Sequence, residues 1–429
     1  MMSLAAIVLI ASVIIFALIG VPLVWSLVLA SVCSVAAGGT LNALPILAQR
    51  MFAGGLQYLM LAIFFFVLAG AIMQYGGLSR RLVAFANSLV GHISGGASLV
   101  CVMACAFFAA ISGSAVATTA AIGGIMYPEL KRLGYPEDYA AALPAAAGVL
   151  GVIIPPSVLF IIYGNITNVS PGKLLMAGIV PGVLGALFMC IICYILAKKR
   201  NYPKNEGFVL KDVWTTFKDA FWALLMPVII LGGIYSGIFT PTESGVVAAG
   251  YGLVCVVFIY KEMTWDLFIR IIKESCRTTG NVMILCMAAG ALSYLLTIYQ
   301  IPATLSSFLI ANVANRYTFM LGVVVLLLFL GMFMDVGASI LILGPLLAPV
   351  AVAFGIDPVQ FGVIFVFSMA IGQATPPFGT DLFVVCGFSG RNVMAVGKHS
   401  LLFCVALVAV ILSCIFIPQV ATALPGIMV

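Results

Sequence analysis

Three long stretches of this chain contain no Asp, Glu, Lys or Arg, and they restrict its possible folds more than any other feature. The stretches cover residues 1–49, 82–128 and 278–315. A bilayer crossing takes about 20 apolar residues, so each stretch is long enough for one or two crossings. The strands of a membrane barrel would alternate between apolar and polar residues, and these stretches do not. The sequence therefore predicts an all-α polytopic membrane protein with about ten to twelve spans.

The composition argues against several other classes of protein. The chain is 64% hydrophobic and 7% charged, whereas soluble domains carry about 25% charged residues. Its net charge of +6 comes from short connecting segments, so we expect no nucleic-acid partner. With only 2 His residues, a histidine-based metal centre is not expected. Cys190 and Cys193 form a C-x-x-C pattern inside a predicted span, where we interpret them as packing residues.

Connecting segments and the N-terminal region indicate the topology. The densest basic segment contains Lys198, Lys199, Arg200, Lys204, Lys211 and Lys218. Basic loops stay in the cytoplasm, so we predict a cytoplasmic loop at residues 198–219. Residues 4–19 are apolar, without a basic region before them or a clear cleavage site after them, and we predict a retained first span.

The second half of the chain repeats the first at a fixed spacing. Five glycine or proline positions recur with one constant difference in residue number, which we call the repeat offset: Pro128/Pro349, Gly134/Gly355, Gly151/Gly372, Pro155/Pro376 and Pro156/Pro377. Lys131 and Arg132 follow Pro128, whereas the segment after Pro349 is uncharged, which places the first at the cytoplasmic face and the second outside. We therefore predict two inverted repeats, an arrangement found in many secondary transporters.

Each copy contains two breaks in its helical pattern. The first is rich in small residues, at 112–114 in one copy and 335–339 in the other. Each of these lies only a few helical turns before a proline, Pro128 or Pro349. Because that length is too short for a full crossing, we predict a re-entrant hairpin that the proline ends, with its tip at mid-membrane. The second break is the Pro-Pro pair, which interrupts a later span.

These breaks predict a ligand site. A Pro-Pro pair leaves carbonyls unpaired, and in hydrocarbon such groups persist only where they line a cavity or meet a ligand. Free carbonyls with Ser, Thr or Asp oxygens suit a cation such as sodium, whereas helix N-termini suit an anion. A kink used only for packing is the alternative. Asp335 and Asp381 interrupt apolar runs and are candidate functional residues, and Ser114 takes the place of Asp335 in the first copy. We interpret Glu243 as a helix cap in preference to an ion ligand.

Two segments predict arms at the membrane surface. Residues 264–277 interleave charged and apolar side chains, as in an amphipathic interfacial helix, and residues 42–57 are their counterpart. Such arms either brace a moving domain or only anchor the chain. The predicted organisation is 1–57 scaffold and first arm, 58–197 first repeat, 198–219 loop, 220–277 scaffold and second arm, and 278–429 second repeat.

Four motifs together resemble the large membrane subunit of tripartite ATP-independent periplasmic (TRAP) transporters, and its sialic-acid members most. They are Gly-Ile-Phe-Thr-Pro-Thr-Glu-Ser at 237–244, the tip at 112–114, and the Pro-Pro motifs at 151–157 and 373–381. The resemblance covers the whole chain. It implies sodium-driven symport of an organic acid, sialic acid in particular, by an elevator mechanism in the bacterial inner membrane. It also implies two partners, a periplasmic substrate-binding protein and a small four-helix membrane subunit, which we expect as a separate chain.

The resemblance also assigns site residues. It implies a first Na⁺ site at Ser112, Gly113, Ser114, Gly151 and Pro155. It implies a second at Asp335, Gly337, Gly372, Thr375, Pro376 and Thr380. The organic acid would lie between the tips, near Ser114, Ser157 and Asp335. The carboxylate of Asp335 would act through an ion or a water, because two like charges in contact repel each other.

Other function classes are considered beside transport. An intramembrane aspartyl enzyme would use Asp335 and Asp381 as a carboxyl pair, but neither lies in the Gly-x-Gly-Asp pattern of such enzymes. We therefore expect no enzyme. A passive channel would show flux without sodium, and an ABC-type permease would need ATP.

Overall fold

The computed structural model describes residues 4–200, 202, 207–313 and 315–427; Lys204 of the predicted basic loop lies outside these ranges. The first half contains α1 (Leu4–Leu18), α2 (Leu23–Ala37), α3 (Leu44–Gly55), α4 (Leu59–Tyr75), α5 (Leu78–Val90), α6 (Gly96–Ser112), α7 (Ala115–Arg132), α8 (Glu137–Gly148), α9 (Leu150–Ile153), α10 (Val158–Thr167), α11 (Pro171–Ala177) and α12 (Ile179–Arg200). The second half contains α13 (Leu210–Tyr235), α14 (Pro241–Val254), α15 (Trp265–Ile298), α16 (Ile301–Asn312), α17 (Arg316–Gly331), α18 (Val336–Ala353), α19 (Pro358–Gln373), α20 (Thr380–Ser389), α21 (Val393–Phe416) and α22 (Gln419–Thr422). A π-helical turn at Cys255–Ile259 follows α14, and 3₁₀ turns lie at Leu41–Ala43 and Pro425–Ile427.

The prediction of an all-α polytopic membrane protein is confirmed. Within the described ranges, 6 helices are long and apolar enough to cross a membrane, or up to 9 segments if each strongly bent pair is one span. This is fewer than the ten to twelve expected, because several apolar helices have only 10–17 residues. Hairpins and broken segments consist of short apolar helices. Composition alone does not distinguish such helices from full membrane spans.

Both copies contain the same order of elements. In the first, α6 and α7 form a hairpin around Gly113, and α8 and α9 lead into a break before α10. In the second, α17 and α18 form the hairpin, and α19 leads into a break before α20. The Pro155–Pro156 and Pro376–Pro377 peptide bonds at the two breaks are both cis. The repeat read from glycine and proline spacing therefore corresponds to a repeat of helices.

The prolines predicted to end the hairpins do not end them. α7 continues through Pro128 to Arg132, and α18 continues through Pro349 to Ala353. A proline removes one helical hydrogen bond and crowds the preceding turn. About one further turn of helix follows each proline, so the hydrogen bonds on either side of it keep the helix continuous.

The second predicted arm is the start of a long helix. α15 runs unbroken over 34 residues, so residues 264–277 are not a separate surface helix. The stretch from Trp265 to Thr279 contains no Gly or Pro that would end a helix. The first arm is a separate helix, α3, and it joins the next helical segment across a bend of 45°. The predicted domain boundaries at 197, 219 and 277 fall inside α12, α13 and α15, so the predicted loop at 198–219 includes the end of α12 and the start of α13.

Candidate functional site

A cavity of about 530 Å³ lies between the hairpin tips and the helices α4 and α15. One side is formed by both tips and the adjoining broken segments, and includes Ser112, Gly113, Ser114, Asp335, Gly337 and Gln373. Its other side includes Gly70, Gln74, Tyr75, Glu274, Ser275 and Thr278. A larger cavity of about 1020 Å³ contains none of the predicted site residues. The tertiary structure thus brings two tips from opposite halves of the sequence to one chamber.

The first tip is a tight cluster of oxygen atoms. Ser114 is the N-cap of α7, and its carbonyl accepts a hydrogen bond from Thr118 Oγ1 at 2.8 Å. The hydroxyls of Ser112 and Thr118 are 2.9 Å apart. Gly151 lies against this cluster so closely that a Cβ there would meet Thr118 Oγ1 at 2.5 Å. Three neighbouring oxygens are therefore available to a small cation.

Gly113 joins the first tip to the first break. Its backbone is left-handed, with φ of 64°, and a Cβ there would collide with the carbonyl oxygen of Pro156. Only glycine adopts this conformation readily and allows so close an approach. The predicted residues Ser112, Gly113, Ser114 and Gly151 therefore lie together, and Pro155 belongs to the break that Gly113 contacts.

The second tip carries a charge in place of a hydroxyl. Asp335 is the N-cap of α18, and its Oδ1 accepts hydrogen bonds from the backbone N–H of Gly337 at 2.9 Å and Ala338 at 3.3 Å. Its Oδ2 accepts from Gln373 Nε2 at 3.4 Å, which ties the tip to the break. Gly372 packs directly on Gly331. This carboxylate therefore holds the tip, the start of α18 and the end of α19 together.

Thr118 and Ser339 are functional candidates that were not predicted from the sequence. They are separated by the repeat offset, and each donates to the carbonyl of its own tip residue, Thr118 to Ser114 and Ser339 to Asp335 at 3.0 Å. Extending the repeat from the tips into the following turn would have found them. Gln373 begins the second Pro-Pro motif, but the sequence alone indicates no role for it.

The remaining predicted residues lie apart from the cavity surface. Ser157 is buried as the N-cap of α10, where its Oγ accepts from Phe160 N at 3.4 Å, and it does not line the cavity. Thr375 is buried and donates to Ile371 O at 2.8 Å. Pro376 packs on Gly397, and Thr380 opens α20. These residues stabilise the two breaks without lining the cavity.

Glu243 is a helix cap, as predicted. Its Oε2 accepts from Thr240 N at 2.8 Å, and Glu243 N donates to Thr240 Oγ1 at 3.3 Å, a capping box at the start of α14. The box satisfies two backbone donors that the first turn of a helix leaves free.

The charges around the cavity favour cations. Its charged lining residues are Asp335 and Glu274, both acidic. An anion entering it can interact favourably with the N-terminus of α7 at Ser114 and with that of α10 at Val158. A cation bound near Asp335 would offset the repulsion between its carboxylate and an anion in the cavity.

Comparisons with known proteins agree on one family. Residues 10–420 match the family model described as tripartite ATP-independent periplasmic transporter, DctM component. The chain is 40% identical to the C4-dicarboxylate TRAP transporter large permease protein DctM of Pseudomonas aeruginosa, over 89% of each chain. It is 38% identical to the 2,3-diketo-L-gulonate TRAP transporter large permease protein YiaN of Escherichia coli, over 94% of each chain. It is 35% identical to the sialic acid TRAP transporter permease protein SiaT of Haemophilus influenzae, over 96% of this chain and 67% of that one.

A solved structure shares the fold at low sequence identity. The YdaH transporter of Alcanivorax borkumensis superimposes with a TM-score of 0.66 at 16% identity, over 97% of this chain and 99% of that one. At this identity the similarity shows the architecture of a membrane transporter, and no more.

Proposed function

The chain belongs to the DctM component family of tripartite ATP-independent periplasmic transporters, and we propose that it couples an inward sodium gradient to uptake of an organic acid. The family consists of transporters, so the aspartyl-enzyme alternative is set aside. One observation carries the proposal: the two tip residues Ser114 and Asp335 line the same cavity. A single chamber is what coupled binding of ions and substrate requires.

Sodium is supported by the oxygen atoms at the tips. Ser112, Ser114 and Thr118 present neutral oxygens at the first tip, and Asp335 presents a carboxylate at the second. Hard monovalent cations bind such oxygens at broken helices. Each sodium ion moving inward through 100 mV supplies about 2.3 kcal/mol, so two ions drive substantial accumulation of a monoanion.

An organic anion is the substrate class that we propose. The relatives' names assign C4-dicarboxylates, 2,3-diketo-L-gulonate and sialic acid to those proteins. These are all organic acids, and sialic acid, expected from the sequence resemblance, is one candidate beside C4-dicarboxylates. In the proposed complex the anion lies near Ser114, with Asp335 acting through a bound cation. Ser157 supports the site indirectly, since it caps α10 behind the cavity wall.

The mechanism that we propose is an elevator. The hairpins and broken segments form the transport domain, which moves against a scaffold that includes α3, α4 and the first turns of α15. A small membrane subunit and a periplasmic binding protein complete the system, in the inner membrane of a bacterium. This division is supported by the cavity, one side of which is made of tips and breaks and the other of scaffold helices.

Uptake by proteoliposomes containing the three components tests the proposal. Labelled C4-dicarboxylate and sialic acid are supplied with the binding protein, with an inward gradient of Na⁺ or of choline and without ATP. We expect uptake of an organic acid with Na⁺ only. Flux that is equal in Na⁺ and choline would indicate a passive channel, and a requirement for ATP would indicate an ABC-type permease.

A pair of variants connects the sodium dependence to the tip. Thr118→Val should raise the half-saturating Na⁺ concentration about tenfold, because it removes an oxygen at the tip. Thr215→Val is the matched control, since Thr215 Oγ1 donates to Lys211 O at 2.9 Å, the same i−4 geometry at an exposed position of α13. An identical sodium dependence of the two variants would argue against a first-tip site.

A further inference from the structure

Two adjacent residues at the start of α20 have buried polar atoms without partners. Asp381 is 0% exposed, and neither of its carboxylate oxygens has a hydrogen-bond partner among the described residues. The hydroxyl of Thr380, immediately before it, is buried and equally unpartnered in that part of the chain. Neither side chain lines the cavity between the tips. The start of α20 therefore contains buried oxygen atoms that do not line the cavity between the tips.

An ionised carboxylate in this position needs a positive partner. Burial of an unpaired charge costs several kcal/mol, and an unpaired hydroxyl adds to that cost. A proton would neutralise Asp381, but it would leave the buried oxygen atoms at this place without a common ligand. A metal cation bound between the two side chains would satisfy both of them. We propose that Thr380 and Asp381 hold a third sodium ion, separate from the two at the hairpin tips.

Neutral backbone oxygens lie next to the residue that precedes Thr380. The carbonyls of Gln373 and Thr375 crowd against Gly379, the residue before Thr380, where a Cβ would lie 2.8 Å from Thr375 O. These carbonyls belong to the Pro-Pro break between α19 and α20. No group of three or more His, Cys, Asp or Glu that could hold a metal occurs among the described residues. One carboxylate with neutral oxygens matches a monovalent cation better than a divalent one.

The site is a property of the second copy alone. At the repeat offset, Thr380 and Asp381 correspond to Leu159 and Phe160, whose side chains contain no oxygen. In this proposal Thr380 is a ligand of the third site and not of the second tip site, to which the resemblance assigned it. Asp335 remains a ligand of the second tip site. Three sodium ions balance the charges of Asp335, Asp381 and one bound monoanion. A neutral loaded domain lowers the cost of moving these groups through the membrane.

Equilibrium binding of ²²Na⁺ to the purified membrane complex containing this chain tests the inference, which rests on the proposed sodium coupling. Choline keeps the ionic strength constant. Asp381→Asn should bind one sodium ion fewer than the wild type at saturation. Thr380→Val should bind the full number, with one ion held about tenfold more weakly. Asp212→Asn, which removes an exposed carboxylate from α13, should match the wild type.

The outcomes separate this inference from the proposed function. Equal numbers and affinities of bound sodium in the wild type and Asp381→Asn overturn the third site while leaving the tip sites intact. A wild type that binds no sodium overturns sodium coupling itself. Thermal unfolding in choline alone shows whether each variant folds. If Asp381→Asn does not fold, Thr380→Val, which keeps the size of the side chain, tests the third site instead.

Discussion

The guanidinium of Arg270 lies 4.7 Å from the centroid of the Tyr75 ring, and Arg50 lies 4.9 Å from that of Tyr294. The two arginines are separated by nearly the repeat offset, and so are the two tyrosines. Each arm thus contacts a helix that belongs to the other copy of the repeat. Tyr75 also donates to Glu274 Oε2 at 2.7 Å, on the same helix as Arg270. The arms are therefore joined reciprocally to α4 and α15, the helices that line the cavity opposite the tips.

Loss of either arginine should slow transport without changing sodium affinity. A cation–π contact at such a site contributes about 0.5–1 kcal/mol, so Arg50→Ala and Arg270→Ala should each lower the maximal uptake rate a few fold. Uptake rates at increasing Na⁺ in proteoliposomes measure both quantities. Arg316→Ala is the control, since Arg316 lies 4.8 Å over Tyr317, its immediate neighbour, and this contact joins no two helices. A weaker sodium affinity in Arg270→Ala would contradict a purely bracing role.

Gly113→Ala should abolish sodium-dependent uptake, whereas Gly134→Ala should preserve it. Both glycines have positive φ, 64° and 81°, so each substitution introduces backbone strain of about 1–2 kcal/mol. Gly134 has open space around it, but a Cβ at Gly113 collides with the carbonyl of Pro156. Thermal unfolding and uptake of the two variants separate strain from collision. Equal loss of uptake in both would show that the contact between tip and break is unimportant.

Asp335→Asn should reduce uptake about tenfold or more while the protein still folds. Asn is as good an N-cap as Asp, so the start of α18 is kept and only the charge is lost. Asp357→Asn is the matched control, because Asp357 caps α19 with hydrogen bonds of 2.8 and 3.0 Å and does not line the cavity between the tips. If both variants transport normally with unchanged sodium dependence, Asp335 is only a cap.

Glu243→Ala should lower the midpoint of thermal unfolding, and Glu243→Gln should restore most of it. Gln also completes a capping box, because its amide oxygen can accept from Thr240 N. The half-saturating Na⁺ concentration should stay the same in both variants. A sodium effect in Glu243→Gln, which keeps the cap and removes the charge, would instead favour an ion-binding role for this residue.

Local physical rules explain why several features could be predicted. A Gly or Pro weakens a helix wherever it stands, so the positions of the tips and breaks followed from the spacing of these residues in the two copies. The role of Glu243 followed in the same way from its distance to Thr240. The predictions that were wrong concerned where individual helices begin and end. Pro128 and Pro349 did not end their helices, and residues 264–277 joined α15, because continuation of a helix depends on packing around it.

Three properties could be read along the chain alone: it is a helical membrane protein, it contains two related copies, and its tips and breaks lie at identifiable residues. The length of an apolar run, its charge and the presence of helix-breaking residues are all properties of residues close together in the chain. The amino-acid sequence is therefore sufficient to predict them. The folded molecule was needed to show that Ser114 and Asp335 share a cavity, that Tyr75 and Glu274 face it, and that Asp381 is buried without a partner among the described residues. Those relationships join residues that are far apart in the chain, and packing between helices sets them.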